Sequence, residues 1–96
     1  MQKINDLYAL SHEEIDYRIS AMTDSQREIL SYLTHGKSTK QIAQILSIRL
    51  TALNARVASA CDRVGLDTRS QLIALYAIWI YNLTKLQYLE KHTQQY

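Results

Sequence analysis

Six basic residues between positions 37 and 69 are the side chains whose chemistry is most readily interpreted. They are Lys37, Lys40, Arg49, Arg56, Arg63 and Arg69. Ammonium and guanidinium groups bind phosphate oxygens through charge-assisted hydrogen bonds. Only Asp62 and Asp67 oppose them, so residues 29–69 carry a net charge of +4, whereas residues 1–28 carry −3. An ordinary solvated surface would scatter its charges, so we expect this segment to contact a phosphate backbone.

The apolar spacing after position 50 predicts the helix that would present several of these side chains. Helical intervals separate Leu53, Val57, Ala60, Cys61 and Val64, which indicates a helix over 50–64 with this face turned inward. The opposite side then carries Thr51, Ala55, Ala58 and Asp62, and one flank carries Arg56, Ser59 and Arg63. Asn54 is the best candidate for a base contact, because its amide can pair with adenine. The exposed face is better suited to backbone contacts than to reading bases.

Four Ser/Thr-x-x-Glu/Gln motifs mark helix starts along the chain. They are Ser11 with Glu14, Thr23 with Gln26, Ser38 with Gln41, and Thr68 with Gln71. In each, the hydroxyl can accept a backbone N–H three residues later, while the longer side chain accepts the N–H of the capping residue. With Gly36 and Gly65 as stops, they predict an all-α fold with helices over 12–21, 24–35, 39–46, 50–64 and 69–93. We expect residues 1–10 to form an arm that packs on the body through Ile4, Leu7, Tyr8 and Leu10.

The length of 96 residues and the composition indicate one domain. We divide it into an N-terminal arm and short helix (1–21), a helix-turn-helix cassette (22–68) and a long C-terminal helix (69–96). The single Cys61 excludes an internal disulfide and is interpreted as a small core residue. The histidines lie too far apart for helical metal-ligand spacing, and the longest apolar run is shorter than the roughly 18 residues that span a bilayer. We therefore expect a cytoplasmic protein without enzymatic activity, cofactor, metal, small-molecule ligand or membrane contact.

The C-terminal helix is apolar on every side over residues 72–81, so it needs more than one neighbour. We expect Ile73, Ala77 and Ile80 to pack on the cassette. A second stripe would then face outward and form a dimer interface, and it consists of Leu72, Leu75, Tyr76, Trp79, Leu83 and Leu86. In the alternative, the N-terminal helix covers this stripe within one monomer through Ile15, Tyr17, Ile19 and Met22.

The stretch from Gly36 to Ile48 is typical of a tight corner between two helices. Gly36 ends one helix, Ser38 caps the next, and Ile42, Ile45, Leu46 and Ile48 pack around a short turn. With its flanks, it resembles the LuxR/GerE-type helix-turn-helix family over about residues 22–75. The residues that carry the resemblance are Met22, Thr23, Arg27, Glu28, Ile29, Leu30, Gly36, Lys40, Ile42, Ala43, Leu46, Ile48, Leu53, Arg63, Val64, Gly65, Leu66, Thr68 and Arg69.

The resemblance implies a bacterial transcription regulator that binds double-stranded DNA as a dimer, with the helix near 50–64 in the major groove. It implies phosphate contacts at Lys40 and Arg63 and base-facing positions at Asn54, Ala55 and Ala58. Together with the basic and polar side chains around them, the expected DNA-binding residues are Lys37, Ser38, Thr39, Lys40, Arg49, Thr51, Asn54, Ala55, Arg56, Ala58, Ser59, Arg63 and Arg69.

A second reading of the same fold is a protein-interaction module, either an anti-activator or a co-regulator, with weak or no specific DNA binding. The alanines on the exposed face and the acidic N-terminal segment favour it, and the net charge of the cassette opposes it. In that case the C-terminal helix would pair with another regulator as a heterodimer.

Overall fold

Five α-helices make up most of residues 1–93, which are the residues that the computed structural model describes. They are α1 (His12–Ser20), α2 (Asp24–Thr34), α3 (Thr39–Leu46), α4 (Leu50–Val64) and α5 (Arg69–Thr93). A short 3-10 turn, Leu7–Ala9, precedes α1. The predicted all-α fold is confirmed, and α1 and α2 each end one residue earlier than expected. The last three residues of the predicted C-terminal segment, 94–96, lie outside the described range.

Hydroxyl caps begin four of the helices, as the motifs predict. The reciprocal capping box is complete at Thr23 and at Ser38, and Thr68 exchanges the same two hydrogen bonds with Gln71 at 3.2 Å each. At α1 only half of the motif forms. Ser11 accepts the Glu14 N–H, but the Glu14 carboxylate bonds Arg18 instead of returning to the cap. Each box supplies partners to backbone N–H groups that the first turn would leave unpaired.

One apolar core joins all five helices, and its fully buried side chains come from each of them: Ile19, Ile29, Leu30, Ile42, Leu53, Val64, Leu72 and Leu75. The predicted inward face of α4 is confirmed at every position. Two expectations are wrong, because Ile45 and Tyr8 are exposed. Ile45 lies on the outer side of the short helix α3. Ala43 is buried on its inner side instead. Ile4, Leu7 and Leu10 do pack against the core.

The corner between α3 and α4 turns within three residues. Ser47 takes the left-handed conformation at the end of α3 (φ 55°, ψ 43°), and the Ile48 N–H then bonds the Ala43 carbonyl at 3.0 Å. Left-handed backbone costs a non-glycine residue roughly 1–2 kcal/mol, so the surrounding packing must hold it. The half-buried Leu46 and Ile48 supply that packing on both sides of the turn. The corner therefore fixes the orientation of α4 relative to α3.

The packing of α5 is the reverse of what its sequence pattern predicted. Leu72, Leu75 and Tyr76 are buried within the chain, so they are not part of an exposed interface. Ile73 is only half-buried, and Ala77 and Ile80 are exposed. The alternative in which the N-terminal helix covers the stripe holds for its first half, because Ile15, Ile19 and Met22 join the same core, whereas Leu83 and Leu86 are exposed. Tyr17 remains exposed.

None of the helices within residues 1–93 is both long enough and apolar enough to cross a membrane.

A buried arginine ties the N-terminal segment to the end of α4. Arg18 is 5% exposed, and its guanidinium bonds the Glu14 carboxylate at 2.8 Å, the Gln2 carbonyl at 2.7 Å and the Val64 carbonyl at 2.6 Å. The next residue, Gly65, accepts the Ile4 N–H at 2.9 Å. The positive charge thus lies at the carbonyl end of α4, where the helix dipole favours a cation.

We expect Gly65→Ala to destabilise the protein more than Gly36→Ala. Both glycines have a positive φ, 80° and 85°, so each substitution incurs a backbone penalty of about 1 kcal/mol. A Cβ at Gly65 would also overlap the Gln2 carbonyl oxygen and lie 2.8 Å from Arg18 Nη1, whereas a Cβ at Gly36 meets nothing within 4 Å. Urea unfolding should show a loss about 1–3 kcal/mol larger for Gly65→Ala. Equal losses of stability in the two variants would mean that the N-terminal arm does not pack against Gly65 in solution.

Candidate nucleic-acid interface

The lysines and arginines before residue 70 divide into two groups by their partners. Three lie outside the basic segment and form ion pairs: Lys3 with Asp67, Arg18 with Glu14, and Arg27 with Asp24. The other six are Lys37, Lys40, Arg49, Arg56, Arg63 and Arg69, and all are exposed. Within residues 1–93, none of these six forms an ion pair with a carboxylate. Their charge is therefore available to a ligand.

The outward side of α4 is a continuous exposed face. Thr51, Asn54, Ala55, Ala58 and Asp62 all lie on it, opposite the buried Leu53, Val57 and Val64. The two alanines offer no hydrogen bonds, and Asp62 places a negative charge near the C-terminal end of the face. Among these five side chains, only the Asn54 amide and the Thr51 hydroxyl can both donate and accept hydrogen bonds. The face has little capacity to read bases by hydrogen bonds.

One flank of α4 lies against the start of α2. Arg56 Nη1 donates to Ser25 Oγ at 3.2 Å, and Arg63 Nη1 donates to the Ala21 carbonyl at 3.1 Å. Ser59 Oγ accepts a longer hydrogen bond, 3.5 Å, from the buried Gln26 amide. Each guanidinium keeps further N–H donors beyond the one used here. The flank is anchored, and its arginines can still bind an anion.

The other flank of α4 faces the start of α5 across a shallow cleft. Asn54, Ala58 and Asp62 line it from α4, and Asp67, Arg69 and Ser70 line it from the other side. Lys3 neutralises Asp67 through their ion pair. Arg69 is the first residue of α5 and carries the positive charge of this flank. The exposed face of α4 thus has arginine on both sides.

The remaining candidate residues cluster around the start of α3 and the helix-turn-helix corner. Lys37, Ser38 and Lys40 are exposed and Thr39 is half-buried, with the Ser38 hydroxyl engaged as the cap of α3. Arg49 precedes α4 and makes no side-chain capping bond. All thirteen residues expected from the sequence therefore lie at or near the surface.

Sequence reasoning missed the residues of α1 and α2 that position this surface. Ser25, Gln26 and the Ala21 carbonyl anchor the α2-side flank, and Arg18 anchors the end of α4. The motif of Ser11 with Glu14 could have drawn attention to Arg18, because Glu14 and Arg18 have the i, i+4 spacing of a helical ion pair.

Comparison with protein families identifies the family domain of the chain. The model described as "Bacterial regulatory proteins, luxR family" matches residues 20–76, more than half of the chain. The matched region contains α2, α3, α4 and the first part of α5, and therefore all thirteen candidate residues. Comparisons with curated proteins and with solved structures found no match.

Cys61 lies under the α5-side cleft, and burial raises the pKa of its thiol above the ordinary value, with a further contribution from the neighbouring Asp62 charge. Because the folded thiol keeps its proton to a higher pH than the unfolded thiol does, its contribution to stability is complete below the unfolded pKa of about 8.5 and is lost as pH rises through the folded pKa. We expect the free energy of unfolding to fall more between pH 8 and 10 in the wild-type protein than in Cys61→Ala. Parallel pH profiles would contradict this interpretation.

Proposed function

The chain belongs to the luxR family of bacterial regulatory proteins, and we propose that it regulates transcription by binding double-stranded DNA as a dimer, with α4 in the major groove. The helix-turn-helix domain itself supports a DNA-binding regulatory role. The dimeric state, the groove and the individual contacts are parts of the proposal.

The distribution of unpaired cations around α4 is the observation that carries the proposal. The major groove is about 12 Å wide and admits one helix, so a helix inside it has a phosphate backbone on each side. Arg56 and Arg63 lie on the α2-side flank of α4, and Arg69 lies on the α5-side flank. Lys37, Lys40 and Arg49 extend the positive surface toward α3. Cations on both flanks of α4 match the two phosphate backbones of a duplex better than they match a ligand with a single anionic patch.

The proposed contacts differ in what they contribute. The basic side chains contact phosphates and set affinity, and Ser38, Thr39 and Ser59 add neutral hydrogen bonds to the backbone. Asn54 contacts a base edge, while Thr51, Ala55 and Ala58 can contact a thymine methyl. We expect the affinity for DNA to depend strongly on salt concentration. We also expect it to differ little between a specific site and random DNA.

A protein-interaction role on the same scaffold is the second candidate. The exposed Asp62, which has no cationic partner within residues 1–93, favours it, because a carboxylate in the groove would be repelled by phosphates. In this role the surface of α4 would contact another protein and would not bind DNA at low salt.

Fluorescence anisotropy with random duplex DNA at about 50 and 200 mM salt separates the two functions, because phosphate contacts weaken by orders of magnitude over this range. Binding that is lost at the higher salt concentration supports the DNA-binding function. An absence of binding at the lower concentration would reject it in favour of a protein partner.

Arg56→Ala with Arg63→Ala should weaken binding to every duplex and reduce the salt slope of log K by about two, because each phosphate contact contributes roughly one. The matched control is Lys3→Ala with Arg27→Ala, which removes the same charge from side chains that are already paired. The control should keep the wild-type slope. Equal effects of the two double variants would show that only net charge matters.

Asp62→Asn should raise the affinity for random duplex DNA, because it removes the negative charge from the exposed face of α4. At low salt we expect a gain of roughly three- to tenfold, corresponding to about 0.6–1.4 kcal/mol. Glu28→Asn is the control, since Glu28 is exposed on α2 and lies outside the proposed contacts. An unchanged affinity for Asp62→Asn would place α4 away from the phosphates.

A further inference from the structure

A groove between α1 and the second half of α5 lies outside the family domain. Its volume is about 260 Å³, and its lining includes Glu13, Asp16, Trp79, Leu83 and Leu86. None of these residues falls within residues 20–76, which the family model matches. This α1–α5 groove is therefore a feature of the chain that the helix-turn-helix domain does not explain.

Trp79 is held in the groove by contacts on two sides. Its Nε1–H donates to Asp16 Oδ1 at 3.0 Å, and its ring packs on the buried Tyr76 with a centroid distance of 5.6 Å. The indole has no other polar group, so with this donor occupied it offers a ligand only its apolar and π surface. Because Trp79 is half-buried and fixed by both neighbours, a ligand meets a preformed surface.

Two leucines of α5 extend this apolar surface. Leu72 and Leu75 are fully buried, and the leucines further along the same side of the helix, Leu83 and Leu86, are 36% and 49% exposed. The stripe that forms the core thus continues into the groove and remains in contact with solvent there. A ligand with an apolar body would remove this surface from water, which is favourable.

Two carboxylates without a cationic partner border the same surface. Glu13 and Asp16 are exposed, and within residues 1–93 neither forms an ion pair. The helix dipole accounts for a carboxylate at Glu13, in the first turn of α1, but its effect fades within that turn. Asp16 lies beyond it, and a neutral amide oxygen would accept the Trp79 N–H equally well. The negative charge of Asp16 is therefore not explained by its contacts within the described chain.

We propose that the α1–α5 groove binds a small organic cation, namely a protonated amine on an aromatic or branched aliphatic body. The ammonium group lies against the carboxylates of Glu13 and Asp16, and the apolar body lies on Trp79, Leu83 and Leu86. The proposal goes beyond the DNA-binding function and does not rest on it.

Charge complementarity selects this class of ligand. Among the described residues no lysine or arginine lines the groove, and His12 and Asn82 complete its lining. An anion would be repelled by both carboxylates, and a neutral molecule would gain no ionic contact with them. An ammonium group has three donors and can bond both, because side chains three residues apart are neighbours on a helix surface. The volume lies just below the roughly 300–1,000 Å³ of common ligand pockets, so the ligand is small.

The single tryptophan of the chain makes the groove directly observable. Phenethylammonium is the ligand to titrate, with 2-phenylethanol and 3-phenylpropionate as neutral and anionic compounds that carry the same phenylethyl body. At low salt, Trp79 fluorescence and its indole N–H resonance should follow phenethylammonium with a dissociation constant of roughly 0.1–1 mM, which is reasonable for so small a ligand. The neutral and anionic compounds should bind at least about threefold more weakly, since they lack the ionic contacts.

Glu13→Gln and Asp16→Asn should each weaken the binding of phenethylammonium by roughly twofold to fivefold and leave that of 2-phenylethanol unchanged, because each removes a charge and keeps the shape of the side chain. The amide oxygen introduced by Asp16→Asn can still accept the Trp79 N–H, so the groove is retained. Glu28→Gln is the matched control, since it removes an exposed carboxylate of α2 that lies outside the groove. The control should keep the wild-type affinity, and circular dichroism checks that all three variants remain helical.

Three results would overturn the proposal. Equal binding of the three compounds by the wild-type chain would show an apolar surface that does not select charge. An equal loss in Glu28→Gln and Glu13→Gln would show that only net charge matters. An absence of any response well above the expected dissociation constant would show that the groove does not take this ligand, and a chain that is dimeric by sedimentation equilibrium would then point to a second copy as its occupant. None of these results depends on DNA binding, because the titration contains no DNA.

Discussion

The buried guanidinium of Arg18 is the interaction on which the arrangement of the other elements depends. A buried charge is costly unless it is paired and hydrogen-bonded, and here a carboxylate from α1 and two backbone carbonyls accept hydrogen bonds from the guanidinium. Because one carbonyl comes from the arm and the other from the end of α4, the charge can be satisfied only when both are in place. The N-terminal segment is thereby part of the same core as the helix-turn-helix domain.

The helices could be predicted from local chemistry, because a capping hydroxyl and a stop glycine act within a few residues of where they lie. The side of α5 that meets the body could not. Periodicity shows which residues share a face, but residues 72–81 are apolar on every side, so the pattern does not choose between Leu75 and Ala77 as the inward residue. The position of α1 decides it, through Ile15 and Ile19. Ile45 was misassigned for a related reason, since α3 is too short for its stripe to define one direction.

The candidate site was predictable in its composition but not in its organisation. Counting charges along the chain indicated a positive segment, and the structure adds that its six cations have no carboxylate partners within residues 1–93 while those before it do. The division of the exposed face of α4 into two arginine-bearing flanks depends on contacts between distant residues, such as Arg56 with Ser25 and Arg63 with the Ala21 carbonyl. No spacing along the sequence encodes those contacts.

The anchoring of Arg56 and Arg63 has a consequence for the entropy of binding. A long side chain that becomes immobile in a complex loses conformational freedom worth about 0.5–1.5 kcal/mol. The hydrogen bonds to Ser25 and to the Ala21 carbonyl restrict these two arginines before any ligand arrives. Their rotamers are selected when the chain folds, whereas Lys37 and Lys40 have no such restraint within residues 1–93. The two arginines can therefore contribute more net affinity per contact than the lysines, although all four carry the same charge.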